Sequence, residues 1–114
     1  MHELSVTQSI LNIALDSAEM AGAKRVNKIK IAAGEMTGYV PACVQDYFDI
    51  ISKETIAEKA ELEFVKIPAA AKCLDCGKET RLTDFKFVCE HCSSQNLKLI
   101  HGREFLVESI DIDT

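Results

Sequence analysis

The sequence predicts an α+β protein: two helices packed on a three-stranded sheet, with a zinc-ribbon-like module inserted ahead of the last strand. Three observations carry this. Apolar residues recur every three or four positions over 5–21 and 41–53, the period of a helix with one buried face. They alternate instead over 26–33, 61–67 and 104–112, the period of a strand. Two Cys-x-x-Cys pairs, Cys73 with Cys76 and Cys89 with Cys92, stand between the second and third alternating stretches. The division that follows is a helix–sheet domain of 1–68 plus 102–114 and a zinc module of 69–101. At 114 residues and 47% hydrophobic, the chain can build one core with a small satellite.

In the first helix Ile10, Ala14, Ala18 and Ala21 form the stripe, and Val6, Leu11, Ile13 and Leu15 widen it. Ser5-Val-Thr-Gln8 has the form of a capping box, which starts the helix just after Ser5 and leaves Met1, His2 and Glu3 in a free extended end. Gly22 is placed to end it. In the first strand Ile29, Ile31 and Ala33 point one way, and Lys28, Lys30 and Ala32 point to solvent. Gly34 closes that strand, and Pro41 suits the first turn of the second helix. That helix buries Val44, Tyr47, Phe48 and Ile51. Pro68 ends the second strand. The third puts Leu106, Ile110 and Ile112 on one face, interrupted by Glu108.

Charge excludes some functions. A net charge of −5 with no basic run makes a poor partner for nucleic acid, because binding phosphate backbones needs clustered Lys or Arg. No apolar stretch approaches the roughly 20 residues that span a bilayer, and Met1-His2-Glu3 is not a positively charged leader. The expectation is a cytoplasmic protein with no membrane segment.

Two residues separate the thiols of each cysteine pair, the span of a knuckle that aims both sulfurs at one point. A dozen residues separate the pairs, enough to fold one knuckle onto the other. Four converging thiolates make a closed tetrahedral site for Zn(II). Gly77 follows the first knuckle, where the backbone wants positive φ. Two disulfides or two redox pairs are the competing reading, which a reducing cytosol disfavours. A site with no open ligand position makes the zinc structural, and no residue is assigned a catalytic role. Cys43, the odd cysteine, reads as a small buried hydrophobe. Two readings of His91 and His101 stand: exposed histidines of polar loops, or reserve ligands for a metal.

His2 is the second feature with metal chemistry. Methionine aminopeptidases need a small second residue, so Met1 is expected to stay, with a free α-amine. That amine, the His2 backbone nitrogen and the His2 imidazole can close two chelate rings on one ion, and Glu3 can add its carboxylate or its own backbone nitrogen. Planar nitrogen donors suit Ni(II) or Cu(II). The positive end of the following helix opposes a cation there. By residue chemistry alone, a solvated terminal histidine and a nickel chelate both remain open.

A resemblance bears on the choice. Met1-His2-Glu3 ahead of a helix, Gly22-Ala-Lys-Arg25-Val26, Gly34-Glu35, Thr55-Ile-Ala-Glu58, the two cysteine pairs, and Gly102-Arg103-Glu104 before the last strand together resemble the HypA/HybF family, over essentially the whole chain. Cys89-Glu-His-Cys92 lacks the proline that members often carry after the third cysteine, which leaves the ligands intact. The resemblance implies a nickel metallochaperone for nickel–iron hydrogenase maturation, not an enzyme. It implies transient Ni(II) at Met1, His2 and Glu3, and structural Zn(II) at Cys73, Cys76, Cys89 and Cys92. The implied partners are a HypB-like GTPase and the hydrogenase large-subunit precursor, with urease maturation proteins in some relatives. The alternatives are a zinc-ribbon module for protein or nucleic-acid interaction, without nickel transfer, and a thiol oxidoreductase.

Overall fold

The structure, a computed structural model, describes residues 3–83 and 86–114. Along the chain the elements are α1 (Glu3–Met20), β1 (Arg25–Gly34), α2 (Pro41–Ile51), β2 (Glu61–Ile67), β3 (Ala70–Cys73), β4 (Glu79–Arg81), β5 (Leu97–His101) and β6 (Phe105–Asp113). The strands form two three-stranded sheets, β2-β1-β6 and β4-β3-β5. The fold is therefore the expected α+β class. Two compact units share the chain: residues up to Ala32 with Tyr39–Val65 and Leu106–Thr114, and Ala33–Gly38 with Lys66–Phe105.

In the first unit α1 begins at Glu3, ahead of the capping-box pattern, so Glu3 is not in a free extended end. Tertiary contacts explain the earlier start. The Glu3 carboxylate accepts the Val40 N–H at 2.9 Å, and the Thr7 hydroxyl donates to the Glu3 carbonyl at 2.5 Å. Val40 is the N-cap of α2 and has no side-chain cap of its own; Glu3 supplies a carboxylate at that helix N-terminus, where negative charge is favoured. Ser5 lies inside α1, and its carbonyl accepts the Ser9 hydroxyl at 3.2 Å. At the other end Gly22 sits at φ +66, with its N–H on the Glu19 carbonyl and the Ala23 N–H on the Ala18 carbonyl. That is the paired closure of a helix by a left-handed glycine.

The buried stripe of α1 is narrower than its apolar residues: Val6, Thr7, Ile10, Leu11, Ala14 and Ala18 are covered, whereas Ile13 and Ala21 are exposed. In α2, which packs on α1, Val44 and Phe48 are buried, while Tyr47 is 40% exposed and corrects the expectation. Cys43 is exposed too, contrary to its reading as a buried hydrophobe. Positions 43 and 47 are four apart and share a face, and it is the 44–48 face that turns inward.

The central strand, β1, departs from strict alternation because Ala32 is buried beside Ile31, and Ala33 is only half-buried. Lys28 and Lys30 reach Glu63 of β2 at 3.7 Å and Glu108 of β6 at 3.9 Å, one pair on each neighbouring strand. Glu108 thus faces solvent, and so does Leu106, which was expected inside. The half-buried residues of β6 are Phe105, Val107, Ile110 and Ile112, so the alternation changes phase across Glu108–Ser109. Lys24 N–H donates to Asp113 and Gly34 N–H to Glu104, which makes β1 and β6 antiparallel. The contacts of β1 and β2 ascend together, Lys28 with Glu63 and Glu35 with Ile67, so these two are parallel, and α2 is the crossover that parallel neighbours require.

In the second unit β3 is central and antiparallel to both β4 and β5, with Cys73 opposite Leu97. Ala69, Ala71 and Leu82 form its small core, with Met36, Leu97 and Leu99 packed against them. Residues 33–38 belong here through three backbone bonds: Gly34 N–H to Glu104, Glu35 N–H to Ile67 and Met36 N–H to Gly102. Two of the short motifs, Gly34-Glu35 and Gly102-Arg103-Glu104, are thus fastened to each other. A Cβ on Gly34 would lie 2.1 Å from the Gly102 carbonyl oxygen, and Gly102 itself holds φ +125. Glu104 locks the turn: its Oε1 accepts the Gly102 N–H at 2.5 Å, and its Oε2 is 2.8 Å from His101 Nδ1.

Two outcomes are expected from this corner. Gly34→Ala should cost at least the roughly 1–3 kcal/mol of an overpacked site, read as a lowered denaturant midpoint, because the obstructing atoms are backbone. Gly102 N–H, with His101 behind it, holds the Glu104 carboxyl down at about 2 against an ordinary 4.5. A depressed carboxyl contributes stability that is complete above its unfolded value and is lost as pH falls toward its folded one. Thermal melts should therefore fall between about pH 4.5 and pH 2, and more steeply for the native chain than for Glu104→Gln.

Candidate metal centre

The two cysteine pairs fold into matching knuckles. Cys73 ends β3; its N–H donates to the Lys78 carbonyl at 2.9 Å, and its carbonyl accepts the Gly77 N–H at 2.9 Å. Cys89 repeats this with Ser94 at 2.8 Å and Ser93 at 2.9 Å. In each knuckle the residue after the second cysteine is left-handed, Gly77 at φ +76 and Ser93 at φ +63. Sequence reasoning anticipated the glycine and missed the serine, which carries the same turn with a side chain that disfavours it. The first thiol of each knuckle is buried and the second exposed.

The four sulfurs lie within 4.8 Å of one another. Cys73 and Cys92 are 3.6 Å apart, Cys76 and Cys89 3.7 Å. A tetrahedron with metal–sulfur bonds of about 2.3 Å has edges of about 3.8 Å, so the donor set fits Zn(II) in both type and size. Backbone N–H groups point at two of the sulfurs, Cys76 N–H toward Cys73 at 3.5 Å and His91 N–H toward Cys89 at 3.4 Å. Ionisation of the metal-free set is uneven. The Cys76 N–H, with Asp75 N–H and the neighbouring thiols aiding it, brings Cys73 down to about 6. For Cys92 the Ser94 N–H pulls downward, but Cys73, burial and the other sulfurs outweigh it and push the thiol up to about 12. Lys78 N–H likewise lowers Cys76, and burial with the Cys73 and Cys89 sulfurs raises it overall. Such a set becomes four thiolates only around a cation, which must displace protons to enter.

A shell behind the ligands ties the knuckles together, and the cysteine spacing alone did not point to it. Asp75, inside the first knuckle, accepts the Ser94 hydroxyl and the Asn96 side-chain amide, the latter at 3.3 Å. Those bonds, Ser94 foremost, lower its carboxyl. Leu74 N–H donates to the Asn96 carbonyl at 2.9 Å, and buried Thr80 accepts the Glu90 N–H at 3.0 Å. Groups of this kind orient metal ligands and tune affinity.

The other expected site residues lie elsewhere. His91 Nε2 is 3.2 Å from the Glu79 carbonyl and 3.4 Å from Glu90, and His101 is on Glu104, so neither is in the cysteine cluster. Met1 and His2 fall outside the described residues. Glu3 is held as the first residue of α1.

Comparison with known proteins points one way. The family described as hydrogenase/urease nickel incorporation, metallochaperone, HypA matches residues 1–112. The hydrogenase maturation factor HypA of Caldanaerobacter subterraneus subsp. tengcongensis is 40% identical over 114 residues, covering 99% of this chain and 100% of its own. That of Aquifex aeolicus is 34% identical over 113 residues, covering 99% and 98%. The solution structure of the Ni metallochaperone HypA from Helicobacter pylori shares the fold at TM-score 0.71 and 23% identity, over 99% of this chain and 98% of that one. A second HypA solution structure does so at TM-score 0.76 and 24% identity, over 98% and 96%.

The Ser93 strain sets an expectation. Ser93→Gly should relieve up to about 1 kcal/mol and tighten zinc by up to roughly fivefold, while Gly77→Ala should weaken it by at least as much, in competition with a chromophoric chelator. Cys92→Ala leaves three thiolates and should lose zinc at chelator concentrations the native chain withstands.

Proposed function

The chain belongs to the HypA family, and from that premise we propose that it carries Ni(II) at its amino terminus for nickel–iron hydrogenase maturation while Zn(II) holds the cysteine module. The carrying observation for zinc is the closed sulfur cluster, which leaves no position for an exchangeable cargo. Nickel then needs another donor set. The proposed set is the Met1 α-amine, the His2 amide nitrogen and the His2 imidazole, in the plane Ni(II) favours.

Glu3 takes a narrower part than its residue type suggests. One of its carboxylate oxygens is spent on α2, at 2.9 Å from Val40 N–H. Its own N–H is at the start of α1, where helix amides have no intrahelical acceptor. The backbone nitrogen is therefore the donor Glu3 offers, and deprotonating an amide answers the unfavourable positive end of the helix. The proposed division of labour is nickel on 1–68 plus 102–114 and zinc on 69–101. The carrier acts in the cytoplasm with a HypB-like GTPase, delivering to the hydrogenase large-subunit precursor, with urease maturation proteins as further partners. Among the described residues no helix is long and apolar enough to cross a membrane.

Nickel titration of zinc-loaded, tag-free protein tests the site, with mass spectrometry confirming that Met1 is the terminus. His2→Ala and a chain extended by one residue before Met1 should each lose nickel by tenfold or more, the first for want of imidazole and the second for want of the amine. Glu3→Gln should bind nickel within a few-fold of the native chain, and Glu3→Ala should lose about 1 kcal/mol of folding stability through α2. Extended protein that bound nickel as tightly as native would overturn the amine chelate.

A further inference from the structure

The remaining chain motifs, Gly22–Val26 and Thr55–Glu58, also come together, and neither metal uses them. Val26 N–H donates to the Ile56 carbonyl at 2.9 Å, drawing the loop after α2 against the start of β1. Between them opens a cleft of about 460 Å³ lined by Lys24, Arg25, Thr55, Ile56, Glu58 and Lys59. In a chain of net charge −5, three cations share this cleft with one carboxylate. That carboxylate, Glu58, is already committed to the Glu54 N–H at 3.0 Å, whereas none of the three cations is in an ion pair among the described residues. Two non-glycine residues bracket the loop in left-handed conformations, Glu54 at φ +66 and Lys59 at φ +68. Strain of this kind persists only where the surroundings impose it.

We propose that this cleft binds an acidic peptide segment of a partner protein. The chemistry favours carboxylates spread along a chain over a single phosphate. Compact phosphate sites use free backbone N–H groups as a cradle. Here most of the nearby amides are spent: Ala21, Gly22, Ala23, Lys24, Val26, Thr55 and Glu58 all donate within the backbone, and Ala57 donates to the Thr55 hydroxyl. Recognition then falls mainly to the long side chains of Lys24, Arg25 and Lys59, which suit several carboxylates at once. Ile56, 38% exposed and lining the same cleft, offers an apolar contact between the charges. Asp113 accepts the Lys24 N–H through its carbonyl and is not part of the lining, so it does not fill the site. The inference is independent of nickel.

The test is an amide-resonance NMR titration of zinc-loaded, nickel-free protein with the synthetic peptide Glu-Leu-Glu-Glu-Leu-Glu, capped at both ends. Saturable shifts should centre on Lys24, Arg25, Ile56 and Lys59, and affinity should weaken as salt rises. The Lys24→Glu, Arg25→Glu double variant should bind at least tenfold more weakly, and Lys53→Glu, a lysine outside the cleft, should bind as the native chain does. Shifts centred elsewhere, or equal losses in Lys53→Glu and the double variant, would overturn the proposal. So would inorganic phosphate that competed with the peptide at equal concentration.

Discussion

Sulfur atoms 3.6 and 3.7 Å apart in two pairs, all four within 4.8 Å, repel one another once ionised, and only a cation at their centre reverses that. The second unit is arranged to make this convergence cheap. Its sheet is small and its core is two alanines and a leucine with half-covered neighbours, too little apolar area to fix the knuckles alone. Backbone turns closing on Cys73 and Cys89, and the Asp75 clamp across to Ser94 and Asn96, orient the ligands. Zinc held by these sulfurs would turn its binding energy into folding energy.

The first unit solves a different problem. The proposed nickel terminus, which would both hold and release an ion, needs a fixed base. Anchoring Glu3 to the start of α2 sets that base one residue after the imidazole-bearing His2. Because Glu3 also serves the N-cap of α2, the root of the proposed nickel site and the entry to the second helix share one carboxylate. Acidic side chain and helix N-terminus are complementary there, which a capping residue within α2 would have made unnecessary.

Much of this was legible in the residues. Helical and alternating periods located both helices and three strands, and β2 matches its expected span of 61–67. The cysteine spacing located the four-sulfur cluster. What failed was local pattern overruled by tertiary contact. Ser5 to Gln8 spells a cap, yet Glu3 finds its partner 37 residues away. Tyr47, Ile13 and Leu106 are apolar enough to be placed inside, but side-chain hydrophobicity sets a tendency and the neighbouring elements set the face. Asp75 was invisible as a clamp because Ser94 and Asn96 approach it only after the knuckles close. Ala32 is buried because β1 is central, which the strand's own sequence does not say.

The proposed function requires that two metals occupy separate donor sets, one all sulfur and one without sulfur. X-ray absorption spectroscopy at the zinc and nickel edges, on one sample of the chain loaded with both metals, reads this directly. Zinc should show four sulfur neighbours at about 2.3 Å, and nickel only nitrogen and oxygen neighbours. Nickel with sulfur neighbours, or zinc that lost sulfur on nickel loading, would contradict it.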